Sequence, residues 1–121
     1  MRKVLAVLVG IAVCGLVVVN AQGGDVAKGK AAYDARGCKT CHKTTKDDAA
    51  GSKLATVLAD NVGKLSAADI KGWLTTTAAM EAKLPKKPVM PMSAFIKGLK
   101  PALSEADVTN LIAYVQSLAG K

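Results

Sequence analysis

The sequence predicts an all-α domain, and three observations lead to this fold class. The chain has 121 residues, which is room for one small domain. No stretch alternates apolar and polar residues convincingly as a strand would, whereas several stretches repeat apolar residues at three and four positions. These stretches follow residues that can cap a helix. The aromatic residues are few (Tyr33, Trp73, Phe95 and Tyr114), so the core lacks the side chains that usually fill most volume.

The first helix is predicted to begin at the cap Asp25 and to end at Gly37. Its small or apolar face includes Val26, Gly29 and Tyr33, which recur at three and four residues. A short, poorly bounded helix is expected near Leu54 to Asp60.

A middle helix is predicted to open at Ser66 and to extend toward Met80, although the run Thr75-Thr76-Thr77 weakens its far end. The last helix opens at Ser104 and runs to Gly120, with an apolar face that repeats every three or four residues. With these helices and no strand, the class is all-α.

The N-terminus has the pattern of a secretion signal. Arg2 and Lys3 precede an uncharged run from Val4 to Val19, and small residues follow where a signal peptidase would cut. We therefore expect residues 1–21 to be a cleaved signal peptide and residues 22–121 to be the domain. A retained anchor is the alternative, but the apolar run is shorter than the roughly 20 residues that span a bilayer core.

The net charge limits the partners. It is +8 for the whole chain, and only two of the 17 basic residues lie in the predicted signal, so the mature chain stays basic. The lysines are scattered from Lys28 to Lys121 without a cluster interleaved with aromatic residues, which argues against nucleic-acid binding. Acidic protein surfaces are the expected partners.

Cysteine usage points to one chemistry. Cys14 falls in the predicted signal, which leaves Cys38 and Cys41, followed directly by His42, the single histidine of the chain. Such a motif allows a thiol-disulfide couple, half a zinc site or covalent haem attachment. A structural zinc ion needs four ligands and only three good ones are present, while a redox couple would be expected in a β-α-β context. Both readings are therefore disfavoured.

Haem attachment gives a role to both cysteines and to the histidine of the motif. The two thiols add to the two vinyl groups of the porphyrin, and His42 is thereby held beneath the ring with its imidazole toward the iron. We therefore predict one covalently bound haem c, with Cys38 and Cys41 as thioethers and His42 as an iron ligand.

The wider sequence resembles the class I c-type cytochromes. Gly24 to Lys30, then Tyr33 and Cys38 to His42, are similar to the opening helix and haem segment of that family, and Leu103 to Val108 with Leu111 to Val115 resemble its closing helix. The resemblance implies a class I cytochrome c fold, in which three to five helices surround one haem and the first and last helices cross.

The resemblance also implies roles for individual residues. Gly29 would lie at the helix crossing, beside Tyr33, Leu111 and Tyr114. Where many members have a Gly-Pro pair whose backbone accepts a hydrogen bond from the haem histidine, this chain has Gly51-Ser52. The residues expected to clasp the haem are Val57, Leu58, Leu65, Ile70, Trp73, Leu74, Leu99 and Leu111.

The sixth iron ligand is expected in the segment from Lys86 to Phe95, which two prolines should keep extended. The family places an aromatic residue two or three positions after its ligand, which favours Met92. Met90, which is followed by proline, is the alternative. Met80 lies on a predicted helix and is expected to pack in the core.

These ligands imply a one-electron carrier in an exported, periplasmic respiratory or other redox chain, and not an enzyme. The alternatives are a gas-binding or catalytic haem protein with a labile sixth ligand, and a haem subunit of a larger redox enzyme. Lysines in segments that flank the haem crevice of relatives would steer transient encounters with an acidic reductase and oxidase, unless they serve only solubility. These lysines are Lys39, Lys43, Lys86, Lys87 and Lys97.

Overall fold

The computed structural model describes residues 23–49 and 56–121, and within these ranges it is helical, with an isolated bridge between Lys43 and Val57 in place of any strand. The all-α prediction is confirmed. The predicted signal peptide (1–21) and the Gly51-Ser52 pair lie outside the described residues. The helices are α1 (Val26–Ala35), α2 (Ala67–Thr75), α3 (Thr77–Glu81), α4 (Met92–Gly98) and α5 (Glu105–Ser117), with a 3-10 turn at Cys38–Thr40 and a π turn at Leu58–Val62.

Helix α1 begins and ends close to the predicted positions. The Asp25 carboxylate accepts a hydrogen bond of 2.9 Å from the Lys28 amide, which satisfies one of the free N–H groups of the first turn. The helix closes at Arg36, and Gly37 follows with φ +76°, a left-handed conformation that favours glycine. The chain thereby turns sharply at the end of α1.

Helices α1 and α5 cross at close range, as the family resemblance implied. Gly29 is buried at the crossing, and a Cβ built there would lie 2.6 Å from the Tyr114 Cβ and against the Asn110 carbonyl. The Asp25 amide also donates to the Asn110 side-chain oxygen at 2.9 Å. The absent side chain at Gly29 is therefore what lets the two helices approach.

Helix α5 opens with a reciprocal cap. The Ser104 hydroxyl accepts from the Asp107 amide, and the Asp107 carboxylate accepts from the Ser104 amide. The same carboxylate pairs with Arg36 at 2.7 Å, which ties the end of α1 to the start of α5. Helix α5 ends at Ser117, three residues before the predicted Gly120.

The predicted continuous middle helix is wrong, because the chain breaks at Thr76 (φ −124°, ψ 44°) into α2 and α3. Each of Thr75, Thr76 and Thr77 donates its hydroxyl to the backbone carbonyl four residues earlier, at 2.8 to 3.1 Å. Such bonds bend helices, and β-branched residues are weak helix formers. The threonine run therefore ends the helix rather than only weakening it.

The segment expected to stay extended through Phe95 is also partly helical, which corrects the prediction. Pro91 is the last extended residue and serves as the N-cap of α4, which starts at Met92. A proline restrains itself and the residue before it, not the residues after it. The short helix expected near Leu54 to Asp60 is a π turn that starts at Leu58, while residues 54 and 55 lie outside the described ranges.

The core lies between α5, α1, α2 and the π turn. Of the residues expected to clasp a haem, four are buried, and Val57 and Leu65 pack against this core, while Trp73 and Leu99 are partly exposed. The buried apolar residues of the core are Tyr33, Leu58, Ala59, Ile70, Leu74, Val108, Leu111, Ile112, Tyr114, Val115 and Leu118.

No helix within the described ranges is long and apolar enough to span a membrane.

Candidate cofactor site

The Cys-x-x-Cys-His motif is wound into a single turn directly after α1. Gly37 redirects the chain, and the amides of Cys41 and His42 then both donate to the Cys38 carbonyl, at 3.2 and 3.0 Å. Residues spaced by three and four positions on such a turn face the same side. The two sulfurs and the imidazole are therefore presented together.

Both cysteines of the motif are free thiols and half-buried. Burial is the main reason why the pKa of Cys38 is raised, so this thiol stays protonated at neutral pH. Neither sulfur is consumed by a disulfide. Both are available for covalent attachment of a group that lies over the turn.

The imidazole of His42 has one buried nitrogen that makes no hydrogen bond with the described residues. Its Nδ1 is buried without a hydrogen-bond partner among the described residues. Burial lowers the pKa of His42, and a backbone interaction with Thr56 acts in the opposite direction without giving Nδ1 a hydrogen bond. The imidazole is thus favoured in its neutral form, which is the form that binds metals.

The backbone of His42 is fixed by Tyr33, a contact that sequence reasoning did not predict. The buried Tyr33 hydroxyl donates to the His42 carbonyl at 2.8 Å. Burial raises the pKa of Tyr33, which keeps this donor protonated. The Tyr33 ring packs on Tyr114 of α5 with centroids 5.5 Å apart. The helix crossing therefore positions the motif turn through one side chain.

The structure distinguishes the three methionines that sequence analysis considered. Met92 is half-buried and packs against the core, whereas Met90 is 74% exposed. Met80 lies beside Gly72, where a Cβ would come 3.0 Å from its sulfur. Phe95, expected to accompany the ligand, is 36% exposed.

Glu81 is a second residue of this region that sequence analysis missed. Its carboxylate accepts two hydrogen bonds from Ser93, one from the amide at 3.0 Å and one from the hydroxyl at 2.6 Å. These bonds connect the last residue of α3 to the residue after Met92. Twelve residues separate the partners, so no local sequence pattern signals the contact.

The lysines predicted to steer partners are accessible. Lys43 is half-buried and the other four are exposed. Three large apolar residues close to Lys86 and Lys87 in the sequence are exposed as well, namely Leu84, Val89 and Met90. The exposed segment 84–90 therefore combines positive charge with apolar area.

The residues present fit a covalently attached haem better than a protein-ligated ion. Among the described residues no group of three or more His, Cys, Asp or Glu could hold a metal ion. One turn nevertheless presents two free thiols and a buried imidazole with an unsatisfied nitrogen. An all-α domain with this arrangement defines the class of proteins that bind haem through thioether bonds.

Comparison with protein families agrees with this class. The family model for cytochrome c matches residues 26–119. The chain belongs to the cytochrome c family. Membership implies a covalently bound haem c with its iron and a role in electron transfer, as the sequence predicted. No match was found among curated proteins or among solved structures.

Proposed function

We propose that this cytochrome c domain is a one-electron carrier whose haem is attached through Cys38 and Cys41 and ligated by His42 and Met92. The observation that carries the proposal is the motif turn, where two free thiols adjoin a buried imidazole whose Nδ1 lacks a partner. When bound, haem supplies an iron that gains or loses one electron.

The roles of the protein residues follow from their chemistry. His42 would supply a neutral nitrogen to the iron, a form that burial favours, and Met92 would supply a thioether. An iron held by both residues would have no position open for a substrate, which favours carrying electrons over converting a bound molecule. The Tyr33 hydroxyl holds the His42 backbone, which limits movement of the imidazole.

Met92 is proposed over Met90 because of their surroundings. Met92 is half-buried and contacts the core cluster, so its side chain is already directed toward the apolar interior. Met90 has 74% of its surface exposed and would have to leave solvent to reach that interior. The start of α4 at Met92 also fixes the backbone of this residue, whereas Met90 lies in a loop.

We further propose that residues 1–21 direct export and are removed, and that the mature domain meets its redox partners transiently in the periplasm. The basic n-region, the apolar run and the small residues at its end support export. The exposed Lys86, Lys87 and Lys97 support partners with acidic surfaces.

The mass and the absorption spectrum of the exported protein test haem attachment. The expected product starts at Gln22, is heavier than its amino acids by one haem, and gives the alkaline pyridine spectrum of thioether-linked haem. A product with the mass of its amino acids alone and no Soret band would refute the proposal.

Separate Met92→Ala and Met90→Ala variants test the sixth ligand. The far-red sulfur-to-iron charge-transfer band of the oxidised protein should vanish in the first variant and persist in the second. Carbon monoxide added to the reduced wild type should change the spectrum little, whereas a rapid change would favour the gas-binding alternative.

A further inference from the structure

The start of α4 is stabilised by a residue from another helix. A helix leaves its first N–H groups without intrahelical partners, and a capping side chain usually satisfies one of them. The N-cap of α4 is Pro91, which makes no side-chain cap. The Glu81 carboxylate at the end of α3 takes this role, because it accepts from the Ser93 amide at 3.0 Å and from the Ser93 hydroxyl at 2.6 Å.

The electrostatics of this contact are favourable. The positive end of the α4 dipole faces the negative carboxylate. The hydrogen bonds from the Ser93 side chain and backbone lower the pKa of Glu81, with a further contribution from the Met92 backbone. Glu81 is therefore ionised at neutral pH, and its hydrogen bond with the Ser93 amide holds the main chain directly after the Met92 carbonyl.

The chain that leads to Met92 lies at the surface. Residues 82–91, which connect α3 to α4, are all exposed. A cavity of about 330 Å³ separates α3 from this loop and is lined by Ala78, Glu81 and Ala82 on the helix side and Lys87, Pro88 and Pro91 on the loop side. The loop therefore does not pack closely against α3 here. The contact between Glu81 and Ser93 brings the two ends of the loop together.

We propose that Glu81 is a positioning residue that holds the Met92 backbone at the place from which its thioether reaches the iron. This inference rests on the proposed ligation by Met92. Glu81 itself does not touch the cofactor in this proposal, and it acts through Ser93 and the first turn of α4. Without it, Met92 would have a wider range of positions and a lower effective concentration at the iron.

Competition by imidazole tests the proposal, since free imidazole must displace Met92 to bind the oxidised protein. In Glu81→Ala, the dissociation constant for imidazole should fall by about threefold to tenfold, because charge-assisted hydrogen bonds are lost at a partly exposed position. The charge-transfer band should weaken, and the midpoint potential should fall. Glu81→Gln keeps an acceptor for the Ser93 amide and should return the constant to within about twofold of wild type.

The other glutamate of the chain provides the matched control. Glu105 is highly exposed and pairs with Lys71 at 3.7 Å, so Glu105→Ala makes the same change of charge at the start of α5 instead of at α4. It should leave imidazole affinity and the band at wild-type values. Ser93→Ala removes only the hydroxyl bond and should give a smaller effect in the same direction, which keeps the test valid if Glu81→Ala does not fold.

Wild-type affinity, band and potential in both Glu81→Ala and Ser93→Ala would overturn the positioning role while leaving ligation by Met92 intact. Equal effects of Glu81→Ala and Glu105→Ala would also overturn it, since charge alone would then be the cause. A wild-type protein without the charge-transfer band would instead refute ligation by Met92, and the inference with it.

Discussion

Gly29→Ala is expected to destabilise the protein, although helix propensity alone predicts that it stabilises α1. Alanine is a better helix former than glycine by up to about 1 kcal/mol, so the substitution would stabilise an isolated α1. At the crossing, however, the new Cβ would lie 2.6 Å from the Tyr114 Cβ and against the Asn110 carbonyl. Carbon atoms in contact are normally about 3.5 to 4.0 Å apart. The helices would have to separate by about 1 Å.

Such a separation acts on the most extensive helix–helix interface among the described residues. Overpacking of a well-packed site costs about 1 to 3 kcal/mol, and the obstruction here is partly backbone, which cannot rotate away. We expect Gly29→Ala to destabilise the haem-loaded protein by about 2 kcal/mol after the propensity gain, and Gly29→Val by more. For a domain of this size the loss corresponds to a melting temperature lower by about 10 °C.

Thermal unfolding followed by circular dichroism measures this shift, and Gly98→Ala is the control. Apart from its chain neighbours and the backbone of its own helix, a Cβ at Gly98 would meet no described atom within 4 Å, so the melting temperature of Gly98→Ala should stay at or slightly above that of wild type. A Gly29→Ala protein that melts within a degree or two of wild type would refute the close crossing.

Three further outcomes are expected. Hydrogen bonds from the Ser104 backbone and from Arg36 lower the pKa of Asp107, so its contribution is present above the ordinary carboxyl pKa and is lost as the pH falls through the folded value. Asp107→Asn should cost about 1 kcal/mol at neutral pH, and the gap in melting temperature should close below about pH 4, whereas a constant gap would contradict this. A variant without both motif thiols, prepared free of haem, should lack native helical dichroism, because a small domain without its central apolar body buries too little surface; native dichroism would exclude this coupling. Charge reversal of Lys86 and Lys87 together should slow electron exchange with hexacyanoferrate at low salt more than reversal of the exposed Lys28 and Lys121 together does, and equal effects would remove the steering role.

Local interactions explain why much of the fold could be predicted. The side-chain caps at Asp25, Ser66 and Ser104 each act on an amide three residues away, so the pattern that predicts them lies within one helical turn. The Cys-x-x-Cys-His motif is equally local. Its chemistry follows from five consecutive residues and from the absence of other histidines in the chain.

The parts that escaped prediction depend on contacts between distant residues or on competition within the backbone. Tyr33 reaches the His42 carbonyl, and Glu81 reaches Ser93, only after the helices pack. The break at Thr76 results from hydroxyl groups that bond to the preceding turn, an effect that propensity treats only as weakness. Helix α4 was not predicted because the prolines that precede it indicate an extended segment.

Tyr33 couples the interface between α1 and α5 to the turn that carries His42. A substitution that separates α1 from α5 would displace the Tyr33 ring, whose hydroxyl is hydrogen-bonded to the His42 carbonyl. With the ligation by His42 proposed above, such a displacement would also move the imidazole relative to the iron. The packing of α1 on α5 is therefore expected to influence the redox potential of the proposed haem site.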